Sequence, residues 1–440
     1  MPNYNSSGRG GRGGRGGGSG RGGRSGGRGG SSGGDTNTAE ARFLPCREFT
    51  TTGNCSRTGH CTFGHIVTRH AEIKATTAVK NTHNNNSNSN HHRSNNNNNR
   101  YNSNNNNSSE TTVGVSGIAV WEQPDQAIKL FSGSDDGHWR LWNSGAKFAK
   151  EFEHKMNGKV GTVNVLSNFL FCGFMGSHVS LPKSTVGMVH VWNLQQPSNP
   201  PLEFHQSRPY TPFAHSKQVT SFAQDNSGDV VYTGSRDATI HAWKFDSQSN
   251  EFALVRSFLG HVGEVTGLVC VKDILWSCST DQSIRTWNTQ SGVCQYCITE
   301  SSNHGHSGAV TQLLTLQQNN EDFVLSCSLD GDVKAWNASN GTCMATIPHG
   351  TGITCMALVP SKLNVPVLLV GCESGKIMIR SVLQTGTTPA FTLLASLSSR
   401  YTCGHDRPVK TLVAGPAQTF YSGGDDGKLN VWQITDDLGL

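Results

Sequence analysis

Three cysteines and a histidine fall in the string Cys46-x8-Cys55-x5-Cys61-x3-His65. Three thiolates and one imidazole make a donor set for tetrahedral Zn2+. The whole string spans 20 residues, too few to enclose a hydrophobic core, so a bound ion would supply most of the free energy that folds it. His60 is a rival ligand beside Cys61, but its spacing is wrong. Cys294-x2-Cys297 also has a zinc-like spacing. It has no second pair nearby and falls on an expected outer strand, so core packing is its reading.

A second set of chemically capable residues recurs along the chain. Histidines stand at His215, His261, His306, His349 and His405, and aspartates at Asp136, Asp237, Asp281, Asp330 and Asp426. Each Asp is six residues ahead of a tryptophan: Trp142, Trp243, Trp287, Trp336 or Trp432. Trp192 ends another unit, and Arg380 stands where a seventh Trp is due. The mean spacing is about 48 residues. The elements that carry these residues are short β-rich strands such as Ile274-Leu-Trp-Ser-Cys-Ser-Thr280, followed by a turn and an alternating strand ending at Trp287. No stretch of about twelve residues keeps a helical period. Four short strands per unit, seven times over, describe an all-β, seven-bladed propeller.

The units resemble WD repeats. Gly260-His261, Gly305-His306 and Gly404-His405 stand as the Gly-His signature, and Trp142-Asn143, Trp192-Asn193, Trp287-Asn288 and Trp336-Asn337 stand where Trp-Asp is usual. The resemblance covers about residues 113–433. It implies that His, a strand Ser or Thr, the turn Asp and the Trp form a buried hydrogen-bond network in each blade. That makes the repeated His–Asp pairs structural rather than catalytic. Val186 replaces the Asp of the second unit, and Ser374 and Arg380 replace Asp and Trp in the sixth, so both blades are expected to be weaker or distorted. In this family the outer strand of the last blade usually comes from the N-terminal side. Here that side, Asn102 to Thr112, is an Asn/Ser run, which predicts a poorly latched seam.

The cysteine string resembles the CCCH class of zinc fingers, whose better-known members bind single-stranded RNA. The resemblance implies Cys46, Cys55, Cys61 and His65 as ligands, and Phe49 and Phe63 as rings that stack on bases. Arg47 and Arg57 then stand ready for phosphate, with Arg42 and Arg69 as further candidates. One finger followed by a WD-repeat ring resembles a zinc-finger WD-repeat family best known from plants. Membership implies nucleic-acid binding with protein scaffolding.

Composition divides the rest. Residues 1–34 hold 17 of the 51 glycines and six arginines, with no acid. Arg-Gly-Gly begins at Arg9, Arg12, Arg15, Arg21 and Arg28. The net charge of +5 therefore belongs to this tail, and the remainder sums to about −1. Such a stretch is too polar to offset its chain entropy, so a disordered tail able to hold single-stranded RNA is expected over 1–40. The finger follows at 41–67. Between Asn81 and Asn107, 16 of 27 residues are Asn. Residues 68–112 read as a disordered tether, with a reach of ~35–40 Å by random-coil scaling, that lets finger and propeller (113–440) move almost independently. The N-terminal residues have no apolar h-region, and no apolar run exceeds about ten residues, so neither a secretory signal nor a membrane span is expected. Thirteen cysteines then fit a reducing compartment, nuclear or cytoplasmic.

On the propeller, the residue before each turn Asp often faces the channel mouth. Asp135, Arg236, Glu373 and Asp425 occupy such positions. The acids fall on units one, six and seven, which suits a basic peptide. A ubiquitin-ligase substrate receptor commonly carries Arg three residues after the repeat Trp, and none of those positions is Arg here. Gly-x4-Gly-Lys-Ser/Thr and His-Glu-x2-His are missing from the sequence, and Gly-x-Ser-x-Gly occurs only inside the low-complexity tail, as at Gly23 to Gly27, where no strand or helix is expected to flank it. The reading is a non-enzymatic, zinc-dependent adaptor for single-stranded RNA. Its propeller takes protein partners, and neither a membrane nor a small-molecule substrate is expected. The competing reading is a protein-interaction scaffold whose finger binds protein or DNA.

Overall fold

Each repeat supplies strands whose burial follows their place in a sheet. In the fourth, Val265–Val271, Ile274–Ser279, Ile284–Asn288 and Cys294–Ile298 run antiparallel in order. Ile274–Ser279 is buried almost throughout because it has neighbours on both sides, whereas the outermost strand is largely exposed. Cys294 is half-buried and Cys297 exposed, so core packing fits only the first of that pair. The computed structural model describes residues 46–56, 65–76 and 112–435, apart from 124–125, 179–180, 206–212, 249, 303, 362–364, 386–387 and 400–403.

Seven four-stranded antiparallel units result, as the repeat count predicts. Their innermost strands line one central cavity of about 270 Å3. In every unit the first strand carries a bulge, at the same step: Val115/Gly117, Val160/Thr162, Val219/Ser221, Val265/Gly267, Val310/Gln312, Ile353/Cys355 and Val409/Thr411. The residue skipped by the ladder is re-aimed sideways. In units three to six it is a threonine, and its hydroxyl donates to the next unit's first strand. Thr220 reaches the carbonyl of Val265, Thr266 that of Val310 at 2.6 Å, Thr311 that of Ile353 at 2.9 Å, and Thr354 that of Val409. These bonds staple blades three to seven in series. The corresponding residues elsewhere are Ser116, Gly161 and Lys410. The buried Ser116 hydroxyl has no partner among the described residues.

The expected weak seam is corrected. Val67–Lys74 forms the outer strand of the last blade, antiparallel to Lys428–Ile434, with Val67 opposite Ile434 and Lys74 opposite Lys428. The alternation of Val67, Ala71 and Ile73 with His70, Glu72 and Lys74 suits a half-buried edge strand. The tether expected from residue 68 is corrected with it, because residues 68–74 belong to this strand. Ala75 N donates to Gly427 O at 2.9 Å, and Thr76 Oγ1 donates to Val113 O at 2.8 Å. The Asn-rich residues 77–111 lie outside the described residues. They follow the closing strand and therefore do not separate the finger from the ring.

The sixth unit is not distorted: its four strands pair in regular order from Ile353 to Leu397. The second unit does depart from the pattern. Its short outer strand, Leu202–His205, lies parallel to Glu251–Leu259 of the third, joining two blades into one eight-stranded sheet. Phe204 seals that join, with its ring 4.9 Å from Trp243 and 4.4 Å from Phe252.

Candidate metal centre and its seat on the ring

Cys46 caps the start of a short helix, Arg47–Thr52. Thr50 N donates to Cys46 O at 2.8 Å, and Gly53 ends the helix in the left-handed region at φ +76°. That turn folds the chain back until the Cys46 and Cys55 sulfurs are 3.6 Å apart. The Glu48 carboxylate accepts from the Ser56 hydroxyl at 2.7 Å across the same turn. The ligand atoms of Cys46, Cys55 and His65 all lie within 4.8 Å of one another.

The cluster fits zinc on three counts. Two thiolates at ~2.3 Å from a tetrahedral ion sit about 3.8 Å apart, close to the observed separation. His65 Nε2 is buried and has no hydrogen-bond partner among the described residues, as a ligand atom must be before its ion is added. The donors are soft sulfur and imidazole nitrogen, a zinc combination. Cys46, Cys55 and His65 would hold the ion. Cys61, the fourth expected ligand, lies outside the described residues, as do Phe63, Arg57 and the tail arginines Arg9, Arg12, Arg15, Arg21 and Arg28.

Phe49 stacks on the His65 imidazole at a centroid distance of 4.5 Å and an interplanar angle of 22°. One of its faces therefore covers the site. Arg47 is exposed on the helix. The helix lies against the closing strand. Thr435, just past the last strand, donates through its hydroxyl to His65 O at 2.8 Å and through its N–H to Ile66 O at 2.8 Å. The sequence offers no signal for Thr435, which lies 370 positions from His65.

The repeated His–Asp pairs form buried networks. In blade four, His261 meets Asp281 at 2.9 Å and the Ser277 hydroxyl at 2.8 Å, and Trp287 Nε1 donates to the same hydroxyl at 2.8 Å. His215/Thr233/Asp237/Trp243, His306/Ser326/Asp330/Trp336 and His405/Ser422/Asp426/Trp432 repeat the arrangement. Burial alone would raise the Asp330 carboxyl, but the hydrogen bond and charge of His306 outweigh it and bring it down to about 2. Among the described residues blade one has no histidine bridging the Asp and the strand hydroxyl, and His138 reaches only Asp136, at 3.3 Å. Buried Arg140 takes that bridging place, donating to Asp136 at 2.6 Å and to Ser134 at 2.8 Å.

At the channel mouth, Asp135, Arg236 and Asp425 line one cavity of about 190 Å3 together with Lys410. Lys410 pairs with Asp425 at 3.2 Å, and Arg236 lies 3.5 Å from Glu264. Glu373 is exposed on its turn and does not line that cavity. The mouth is thus a mosaic of both charges rather than a run of free acids.

Residues 207–244, 295–337 and 396–433 match the family model described as WD domain, G-beta repeat. The body of the chain is a β-propeller that carries three stretches matching this repeat. Zinc finger CCCH domain-containing protein 17 of rice is 28% identical over 321 residues, covering 72% of this chain and 63% of its own length. Zinc finger CCCH domain-containing protein 59 of Arabidopsis thaliana is 29% identical over 326 residues, covering 73% and 59%. The chain thus spans about three fifths of the length of these plant relatives. Human Striatin-3 is 32% identical over 120 residues, which cover 24% of this chain and 15% of its own length. Among the described residues no helix is long and apolar enough to cross a membrane.

Proposed function

We propose that the chain is a non-enzymatic adaptor whose zinc-bound finger and Arg-Gly-Gly tail hold single-stranded RNA while the propeller holds protein. The observation that carries this reading is the Cys46, Cys55 and His65 cluster, with Phe49 on its face and Arg47 exposed beside it. A folded finger offers aromatic and cationic groups to bases and phosphates, and a single finger makes few base contacts. The tail adds non-specific, salt-sensitive affinity through its arginines. The two plant relatives carry CCCH in their names, which supports a zinc-bound finger here.

The propeller's part rests on its shape. A closed ring of edge loops around a channel gives many side chains to a docked protein, and the mixed charges at Asp135, Arg236, Lys410 and Asp425 suit a partner with both signs. A second reading is favoured by one observation. Phe49 spends one face on His65, so the finger could instead be a protein-docking knob.

Titration of labelled single-stranded RNA with the full chain separates the two. Arg47→Ala and Phe49→Ala are expected to weaken binding by about 10-fold or more, as loss of a stacked base or a phosphate contact does. Equal affinity in both variants, with zinc still bound, rejects the RNA-reading finger and leaves the docking knob.

A further inference from the structure

The last metal ligand and the strand that closes the ring are one continuous segment. His65 precedes Val67 by two residues, and Val67 begins the outer strand of blade seven. Val67 is fully buried beside Trp432 and Ile434, with Ile66 packed against the same cluster. The carbonyls of His65 and Ile66 both accept from Thr435 on the opposite side of the join. Threonine is also missing from the bulge positions of blades seven and one, on either side of this seam. The bulge residue of blade seven is Lys410, occupied with Asp425, and blade one offers only the partnerless Ser116 hydroxyl.

We propose that metal binding at Cys46, Cys55 and His65 is the latch of the propeller, so that ion occupancy and ring closure stabilise each other. The inference rests on reading this cluster as a zinc site. Holding His65 against Cys46 and Cys55 fixes the residue from which the closing strand departs. The Thr435 bonds and the Val67–Ile434 pair are then made without ordering that end of the strand anew. Peeling the strand away tilts His65 out of the cluster. Coupling of this kind is reciprocal: whatever the ion adds to seam closure, the closed seam adds to ion affinity. The sulfur pair and the seam thus form one cooperative unit, distinct from the threonine staples that join the inner strands of blades three to seven.

Hydrogen exchange read by mass spectrometry on the full chain, with zinc measured in the same samples, tests this. Chelation is expected to speed exchange in peptides covering 65–75 and 428–435 by about 10-fold or more, and to leave 265–298 of blade four unchanged. Loss of zinc with unchanged exchange at the seam overturns the latch but not the metal site. Full-chain protein that never holds zinc overturns both. Thr435→Val keeps every ligand, so it probes the coupling alone. It is expected to lower zinc affinity about 5- to 10-fold in chelator competition. Unchanged affinity in folded Thr435→Val overturns the coupling.

Discussion

Arg380 Nε donates to His349 Nε2 at 3.0 Å, so the arginine at the tryptophan position bonds the histidine directly, whereas the tryptophans of blades three, four, five and seven donate to a strand hydroxyl. The guanidinium also donates to Phe391 O at 3.3 Å, tying the third strand of blade six to the fourth. Burial, with the Arg380 charge adding to it, pushes the His349 imidazole down to about 4. Arg380→Ala is expected to cost about 1–3 kcal/mol, the penalty for a buried nitrogen left unpaired. It also removes the charge that repels a second proton-bearing group. The His349 titration midpoint is therefore expected to rise, and an NMR titration checks the direction. A fall would show that the pair is not coupled as the geometry implies.

Two histidines, His241 buried and His349 half-buried, set the acid side of the stability profile. His241 is held down to about 4 by burial and by the nearby His215, and His349 lies at about the same value. Both folded-state values lie below the ordinary 6.5, so the unfolded chain binds more protons between them. Their contribution is full above 6.5 and is lost as pH falls toward 4. At pH 5 each histidine is expected to have given up about 2 kcal/mol relative to pH 7. Urea denaturation at the two pH values measures the loss. Equal stability would contradict the buried, neutral assignment.

Ser277 sits at the centre of the blade-four network, accepting from Trp287 and meeting His261. Ser277→Ala orphans both nitrogens at once. The expected cost is about 2–4 kcal/mol, against near zero for Ser301→Ala on the exposed turn. Thermal unfolding of the two variants provides the comparison.

Arg140 and Asp136 carry the corresponding network in blade one. Asp136 would be raised by burial, and the Arg140 hydrogen bond and charge bring it below the ordinary carboxylate range. Arg140→Ala leaves a buried carboxylate facing Ser134 and His138 without its guanidinium. A loss of about 3–5 kcal/mol is expected in chemical denaturation. A loss under 1 kcal/mol would mean that Asp136 is not held by this pair.

The propeller was legible because its grammar repeats: His261, Asp281 and Trp287 recur at fixed intervals, and each recurrence is an independent vote for one sheet. Arg380 could be flagged as a departure. Its bond to His349 could not be foreseen, because a guanidinium reaching an imidazole depends on side-chain packing rather than spacing. The closing strand was missed, although Val67, Ala71 and Ile73 alternate with polar residues. It was obscured by the Asn-rich composition that begins soon after Lys74. The meeting of Cys46, Cys55 and His65 was legible as a local string, since the three are close in sequence. The seat of the finger was not: Thr435 approaches His65 only because the ring brings its two ends together. The channel mouth also resisted prediction, because Lys410 and Glu264, which pair with the expected face residues, occupy no repeated position facing them in sequence.

The most direct test of a zinc-dependent RNA adaptor is to measure metal content and RNA affinity together on the full chain and on Cys55→Ser. One equivalent of zinc per chain is expected in the native protein and none in the variant, with affinity for single-stranded RNA falling at least 10-fold as the metal is lost. Native protein that binds RNA equally well with and without zinc would contradict the account.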